Sequence, residues 1–436
     1  MPAIEVLSVS VPERLPDEVR AAQIRRPQPD TAAEVFTLDL AGTVLTHGGR
    51  AETVEVLCQG TVVREIPVNL PRTGLTDLDP DLPDTLDCGF RALLGALVLP
   101  PEFELELVAV REDGQRFRVG AITGRRERPA PSVEPAFRPL MLTSVGRTGT
   151  VLLMRILGAH PSVVVHEEHP YEVWPARYWG HMLQVLSGPA DHARSVNTRN
   201  FDHDLWHVGQ NPFYTPLPAR LQGDVGLWLG RRHVERLAEF CRENVEEWYA
   251  ILARDQGKNP LYFAEKNFAH VPIPSLGVAD LYPETREVFS VRDLRDVACS
   301  MLSFLGERWR ARGFDNERAL REILAPWVQH LVSSWRARGE HAHLVRYEDL
   351  VRTPRETIEA LLDYLEIDSS GRVVDRALKA AMDQHVFTSH GTSATLEGTV
   401  GRWSRDGDDS FGDTLNEIFH EALVEFGYVE AAAERA

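Results

Sequence analysis

Cysteine is scarce in this 436-residue chain. The four thiols, Cys58, Cys88, Cys241 and Cys299, lie far apart, with no CxxC pair and no metal-ligand spacing. No disulfide framework or metal cluster can be assigned to them, and buried free thiols are expected. Basic charge is short as well: 47 Lys and Arg against 65 Asp and Glu leave a formal net charge of -18. A general nucleic-acid binder shows the opposite balance, although a few arginines suffice for a local anion pocket. No run is long enough to cross a membrane; the longest apolar stretch, Ala92 to Pro101, is too short. The opening MPAIEVLSVSVPERLPDEVR lacks the basic start and apolar core of a signal peptide, so a soluble, cytoplasmic protein is expected. Internal repeats and low-complexity tracts are absent. So is the lysine-bearing loop GxxxxGK[ST] of nucleotide triphosphatases, and no acidic residue ends an apolar strand in the way that marks a magnesium ligand.

What is present falls into two rhythms. Up to about residue 128, segments such as EVFTLDLAG, TVEVLCQG and FELELVAVRE alternate apolar and polar residues, with turns at Gly48-Gly49, Gln59-Gly60 and Asp113-Gly114. That spacing predicts an all-β, sandwich-like domain over 1–128. Prolines and charges over 129–137 read as a linker. Beyond Pro139, short apolar runs alternate with helical periodicity, which predicts a parallel sheet covered on both faces by helices. The expected strands are PLMLTSV, SVVVHEE, LYFAEKN, EVFSVRD and HLVRYED. A helix stopped by Gly158 follows the first; Thr353 caps a later one, with Pro354 at its first position. A Trp-, Tyr- and His-rich helical insertion occupies 170–260.

Ligands of open α/β sheets bind at the carboxyl ends of strands. There the sequence places Gly146-Arg147-Thr148-Gly149-Thr150 after the first strand and His166-Glu167-Glu168 after the second. Glu265-Lys266 follows on the third. Arg292-Asp293 stands on the fourth, with Ser300 two turns into the next helix, and Arg346 to Asp349 on the fifth. EGTVGRWSRDG adds Gly401 and Arg402. Cationic groups recurring at one end of successive strands suit a polyanionic ligand held without a metal. Each residue also has a plainer reading: Arg147 as a solvated turn, Thr148 and Thr150 as helix caps, Ser300 as a helix serine, Lys266 as a surface lysine, Tyr347 as a core aromatic.

Taken together, GRTGTVLLMRILGAHP, FSVRDLRDVACSML, LVRYEDLVRTPRETI and GTVGRWSRDG resemble the sulfotransferases that use 3′-phosphoadenosine 5′-phosphosulfate (PAPS), in the style of protein-tyrosine sulfotransferases and related bacterial sulfotransferases. The likeness covers roughly residues 138–428. It implies a three-layer α/β/α, P-loop-like sulfotransferase domain over 138–430 behind the β domain. It further implies that Arg147 meets the sulfate and that backbone N–H groups through Thr148, Gly149, Thr150 and Val151 hold the 5′-phosphate. Arg292 and Ser300 match the 3′-phosphate site, Tyr347 an adenosine contact, and Gly401 and Arg402 the closing loop. Lys266 matches a lysine that stabilises the transferring group, and Glu168 the carboxylate base. Two positions depart from the pattern: Val151 replaces a hydroxyl residue, and EKNF replaces a lysine followed by Thr or Asp and Pro.

The resemblance implies transfer of a sulfuryl group to an alcohol or phenol. Two other classes stay open at this level. One is a P-loop-like ATP-dependent kinase, which would need magnesium. The other is a non-catalytic nucleotide- or carbohydrate-binding protein. The acceptor can be a small molecule, glycan, lipid or peptide; Glu167 or His166 could replace Glu168 as base. The first half carries no chemical constellation and reads as a scaffold, an acceptor-presenting module or a surface for homo-oligomer formation. No nucleic-acid partner and no metal are expected.

Overall fold

Period-two alternation puts every second side chain on one face of a strand, and the chain up to Arg126 follows it into two antiparallel sheets. In chain order the strands are β1 (Ile4–Ser10), β2 (Val19–Arg26), β3 (Thr31–Ala33), β4 (Thr37–Thr46), β5 (Ala51–Cys58), β6 (Thr61–Pro67), β7 (Leu70–Thr73), β8 (Thr85–Gly95), β9 (Glu102–Arg111) and β10 (Arg116–Arg126). Six form the sheet β3-β1-β10-β9-β5-β6 and four the sheet β2-β4-β8-β7. The computed structural model describes residues 2–73, 85–132, 134–168, 172–189, 228–269, 273–381, 396–406 and 409–430.

The chain divides into two compact units, and the first takes in segments from beyond the expected linker. The first takes Met1–Glu134, Arg177–Asn244 and Leu276–Leu281; the second takes Pro135–Ala176, Val245–Ser275 and Tyr282–Ala436. Inside the first unit Arg126 and Asp280 form a bidentate pair at 2.8 and 2.9 Å. Their side chains are 0% and 1% exposed, so neither charge has water to fall back on.

The second unit carries a parallel sheet of β11 (Arg138–Ser144), β12 (Val163–Val165), β13 (Tyr262–Phe268), β14 (Arg286–Val291) and β15 (His343–Arg346). Its order is β12-β13-β11-β14-β15, with every pairing parallel. The α/β class and the parallel sheet expected from the sequence are therefore present. Alternation along the strands feeds two cores. Leu140, Leu142 and Val288 pack with Leu153, Ile156 and Leu157, whereas Phe289 and Val291 pack with Leu294, Ala298, Leu331 and Phe419.

Two helices bracket the site. Helix α1 (Thr150–Gly158) stops at the expected glycine, where the Lys258 ammonium donates to the Gly158 carbonyl at 2.5 Å. Helix α2 (Leu294–Ala311) starts at Asp293, whose carboxylate accepts the Arg295 N–H. One expected cap differs: Thr353 precedes the helix Pro354–Tyr364, but its hydroxyl makes no capping bond and donates back to the Asp349 carbonyl. The preceding short helix, Tyr347–Arg352, offers that carbonyl from its last turn and takes the hydroxyl first. Among the described residues no helix is long and apolar enough to cross a membrane.

Candidate active site

Strand order turns at β11, with β13 on one side and β14 on the other. A crevice opens beyond the carboxyl end of such a strand, and the turn Val145 to Gly149 occupies it. Gly146, Arg147 and Gly149 all have positive φ, at 86°, 58° and 83°. At Gly149 a side chain is excluded twice over, because a Cβ would lie 2.4 Å from Cδ2 of Tyr347. Arg147 is the exception, a residue with a Cβ held left-handed at a cost of roughly 1–2 kcal/mol.

Thr148 supplies the restraint. It is fully buried, and Ser290 on β14 donates its hydroxyl to the Thr148 carbonyl at 3.0 Å. The Ser290 proton is thereby used, so Thr148 Oγ1 donates to Ser290 Oγ at 3.1 Å. The Thr148 hydroxyl thus ties the turn to β14. Gly149 is the N-cap of α1 and no side chain caps the helix; Thr150 and Val151 begin its half-buried first turn.

Three arginines from three chain segments meet around this turn. Arg147 donates Nε to Ser300 Oγ at 3.0 Å, and its guanidinium lies 4.9 Å from the centre of the Phe304 ring. Arg292 follows β14; it donates to the Arg147 carbonyl at 3.2 Å and the Thr399 carbonyl at 2.5 Å, and lies 4.9 Å from the Tyr347 ring centre. Its Nε is buried and meets no partner among the described residues. Arg402 is buried and approaches Ser303 Oγ at 3.5 Å. Burial first, then the neighbouring charges of Arg292 and Arg402, pull the Arg147 guanidinium below the usual arginine range.

The surrounding polar groups hold these arginines in place. Asp296 lies 3.8 Å from Arg292 and accepts the N–H groups of Gly401 at 2.7 Å and Trp403 at 3.0 Å. Burial raises its carboxyl above the ordinary value, against the pull of those donors and of Arg292. Thr399 gives its own proton to the Leu396 carbonyl, so the Tyr347 hydroxyl donates to Thr399 Oγ1 at 2.8 Å. Glu348 accepts from the Asp293 N–H and the Tyr428 hydroxyl. It braces the ends of β14 and β15 and faces no open space as a ligand carboxylate would.

Arg147, Ser300, Arg292, Tyr347, Gly149, Gly401 and Arg402 are therefore drawn together. Lys266 is buried on β13 and its ammonium donates to Glu172 at 2.6 Å; burial pulls it below the usual lysine range, opposed by Glu172. Glu168 is exposed just past β12 and makes no hydrogen bond or ion pair among the described residues. Its neighbour Glu167 lies 3.6 Å from Lys258. His166 is half-buried, and its Nδ1 has no partner among the described residues.

Sequence reading missed three of these residues. Asp296 was open to discovery, since it stands four residues after Arg292, in the first turn of the helix that follows. Thr399 lies inside a segment already singled out. Glu172 carried no signal, because the lysine it meets is 94 residues away.

A family model described as "Sulfotransferase family" matches residues 139–370. Among solved structures, the sulfotransferase domain of the Synechococcus PCC 7002 olefin synthase is 18% identical, with 70% of this chain and 100% of that chain covered and a TM-score of 0.40. Sulfotransferase STF9 from Mycobacterium avium is 14% identical, covering 69% and 79% with a TM-score of 0.36. Mouse sulfotransferase SULT7A1, complexed with PAP, is 12% identical, covering 68% and 89% with a TM-score of 0.38. A search of curated proteins returns no match to this chain.

Proposed function

The chain belongs to the sulfotransferase family, and we propose that it moves a sulfuryl group from PAPS to a hydroxyl acceptor, alcohol or phenol, by in-line transfer. One observation carries the donor reading: Arg292 is buried beside two further arginines, with an Nε that no described residue satisfies. A buried charge without its full set of partners is costly. A polyanion with separated phosphates fits three converging guanidiniums better than a neutral ligand does.

PAPS supplies the sulfuryl group, and its bisphosphate is the leaving group. Arg292 and Ser300 hold the 3′-phosphate, and Arg147, with the N–H groups from Thr148 to Val151, holds the 5′ side. The Tyr347 ring backs Gly149 and lines the adenosine side. Gly401 and Arg402 close over the donor, held by Asp296. Transfers of this kind pass through loose transition states, so positioning and charge neutralisation dominate. Arg147 and Lys266 provide that charge, and no metal is invoked.

On this reading the chemistry belongs to 138–430, residues 1–128 serve as scaffold or acceptor-presenting module, and the enzyme works in the cytoplasm. Mass spectrometry of products tests it, using the intact chain, PAPS and a panel of phenols, sugars, lipids and tyrosine peptides. A mass gain of one sulfuryl group on any member is the expected result. Tight PAP binding with no transfer to any class would instead favour a nucleotide-binding protein.

A further inference from the structure

Residues 172–176 are pinned to the end of β13 at three points. Glu172 accepts from Lys266 at 2.6 Å. Trp174 meets Phe268 edge-on, with ring centres 5.7 Å apart. The Ala176 N–H donates to Glu265 at 2.7 Å, and the Tyr249 hydroxyl fixes the same Glu265 oxygen at 2.7 Å. Lys266 and Phe268 are two residues apart on one strand and so share a face of the sheet. On that face Phe268 reaches the arginine turn, 3.8 Å from where a Cβ of Gly146 would stand. Contacts thus lead from the turn through Phe268 to Trp174, two residues along the chain from Glu172. The Lys266 side chain is 4% exposed and that of Glu172 is 36% exposed, so the carboxylate has one side on a fixed ammonium and another open to an incoming molecule.

Glu168 has neither feature. It stands in solvent, and no described residue fixes it. Glu167 is turned toward Lys258 and the end of α1. A general base must be held within reach of the proton it takes, and holding a carboxylate in one geometry requires a partner. Resting on the sulfotransferase reading above, we propose that Glu172 rather than Glu168 takes the acceptor's proton, with Lys266 positioning its carboxylate.

The acceptor O–H bond breaks and its proton passes to Glu172. The acceptor oxygen forms the new bond to sulfur with the freed electron pair. The bond from sulfur to the 5′-phosphate oxygen breaks, and its pair leaves on the bisphosphate. Lys266 links the two ends of this displacement. When the sulfonate arrives, the ammonium is shared between it and Glu172, and a carboxylate held less tightly by a cation is a better proton acceptor. The pair therefore keeps Glu172 ordered before the donor arrives and frees it once the donor is in place.

The test combines a binding and a turnover readout on the full chain. Glu172→Gln should leave PAP affinity, measured by calorimetry, within ~3-fold of wild type while turnover falls by about 10²–10⁴-fold on whichever acceptor the wild type sulfates. Glu172→Ala should regain part of that turnover in added formate, which a merely structural role would not allow. Glu168→Gln should stay near wild type in both readouts. Near-normal turnover of Glu172→Gln, or loss of turnover in Glu168→Gln with unchanged PAP affinity, overturns the inference and leaves the sulfotransferase reading standing. A wild-type chain that binds PAP and sulfates nothing, or binds no PAP, overturns that reading and this inference with it.

Discussion

Asp296 Oδ2 accepts the Gly401 N–H at 2.7 Å across 105 residues of chain. The same carboxylate accepts the Trp403 N–H and faces Arg292, so one buried side chain positions two of the three arginines. Asp296→Ala strands two backbone donors, at about 1–3 kcal/mol for each that stays buried. The expected outcome is a lowered melting temperature together with PAP affinity weakened more than ~10-fold, read by calorimetry, because Arg402 loses its anchor. Asp296→Asn keeps one acceptor oxygen and should fall between wild type and alanine.

Arg292 yields a selectivity prediction. With its guanidinium and Ser300 on the 3′-phosphate, 3′,5′-adenosine bisphosphate should bind far more tightly than 5′-AMP. A charge-assisted contact removed from a buried partner costs about 1.5–3 kcal/mol, or more than tenfold in affinity. Arg292→Ala should erase the preference. Equal affinities of the wild type for the two nucleotides would count against the assignment.

Gly149 faces two obstacles to substitution, its φ of 83° and the Tyr347 ring. Gly149→Ala should therefore push the ring away and lose PAP binding, with about 1–2 kcal/mol of backbone strain added. Shrinking the ring in Gly149→Ala/Tyr347→Ala removes the clash and leaves the strain, so stability should recover only in part. Denaturant titration of the three proteins checks the order.

The pair of Arg126 and Asp280 makes the first unit depend on chain beyond the linker. Arg126→Met leaves a carboxylate buried beside an apolar group and should cost about 3–5 kcal/mol, whereas replacing both partners with packed apolar residues should recover most of that. For the same reason, a chain started near Ala130 strips Asp280 of its partner. It should be less soluble or less stable than the intact protein, measured by thermal unfolding.

The thiols supply a pH prediction. All four cysteines are buried, and burial pushes Cys58 up to about 11 and Cys241 up to about 12 from an ordinary 9.0. At pH 8 the Cys58 thiolate is then roughly one part in a thousand, so a disulfide reagent should label the native chain slowly and all four thiols only after denaturation. The folded state keeps protons that the unfolded state gives up. Stability from these groups is therefore full below pH 9 and declines as pH rises toward 11–12.

Much of this protein is written in local order along the chain. The five apolar runs form five parallel strands within a residue or two of their expected bounds at most ends, because side-chain alternation and helical stripes are properties of neighbouring residues. The helix stop at Gly158, the buried cysteines and the cationic residues at the strand ends are legible for the same reason. Only the tertiary structure joins Arg147 to Ser300, Arg292 to Thr399, Asp296 to Gly401 and Lys266 to Glu172. It also draws helical segments from 177–244 and 276–281 into the first unit. Each of these depends on groups many tens of residues apart, and no period or spacing along the chain records which distant partner a buried charge will meet. That choice is made when packing removes water and a buried donor or acceptor left without a partner becomes costly.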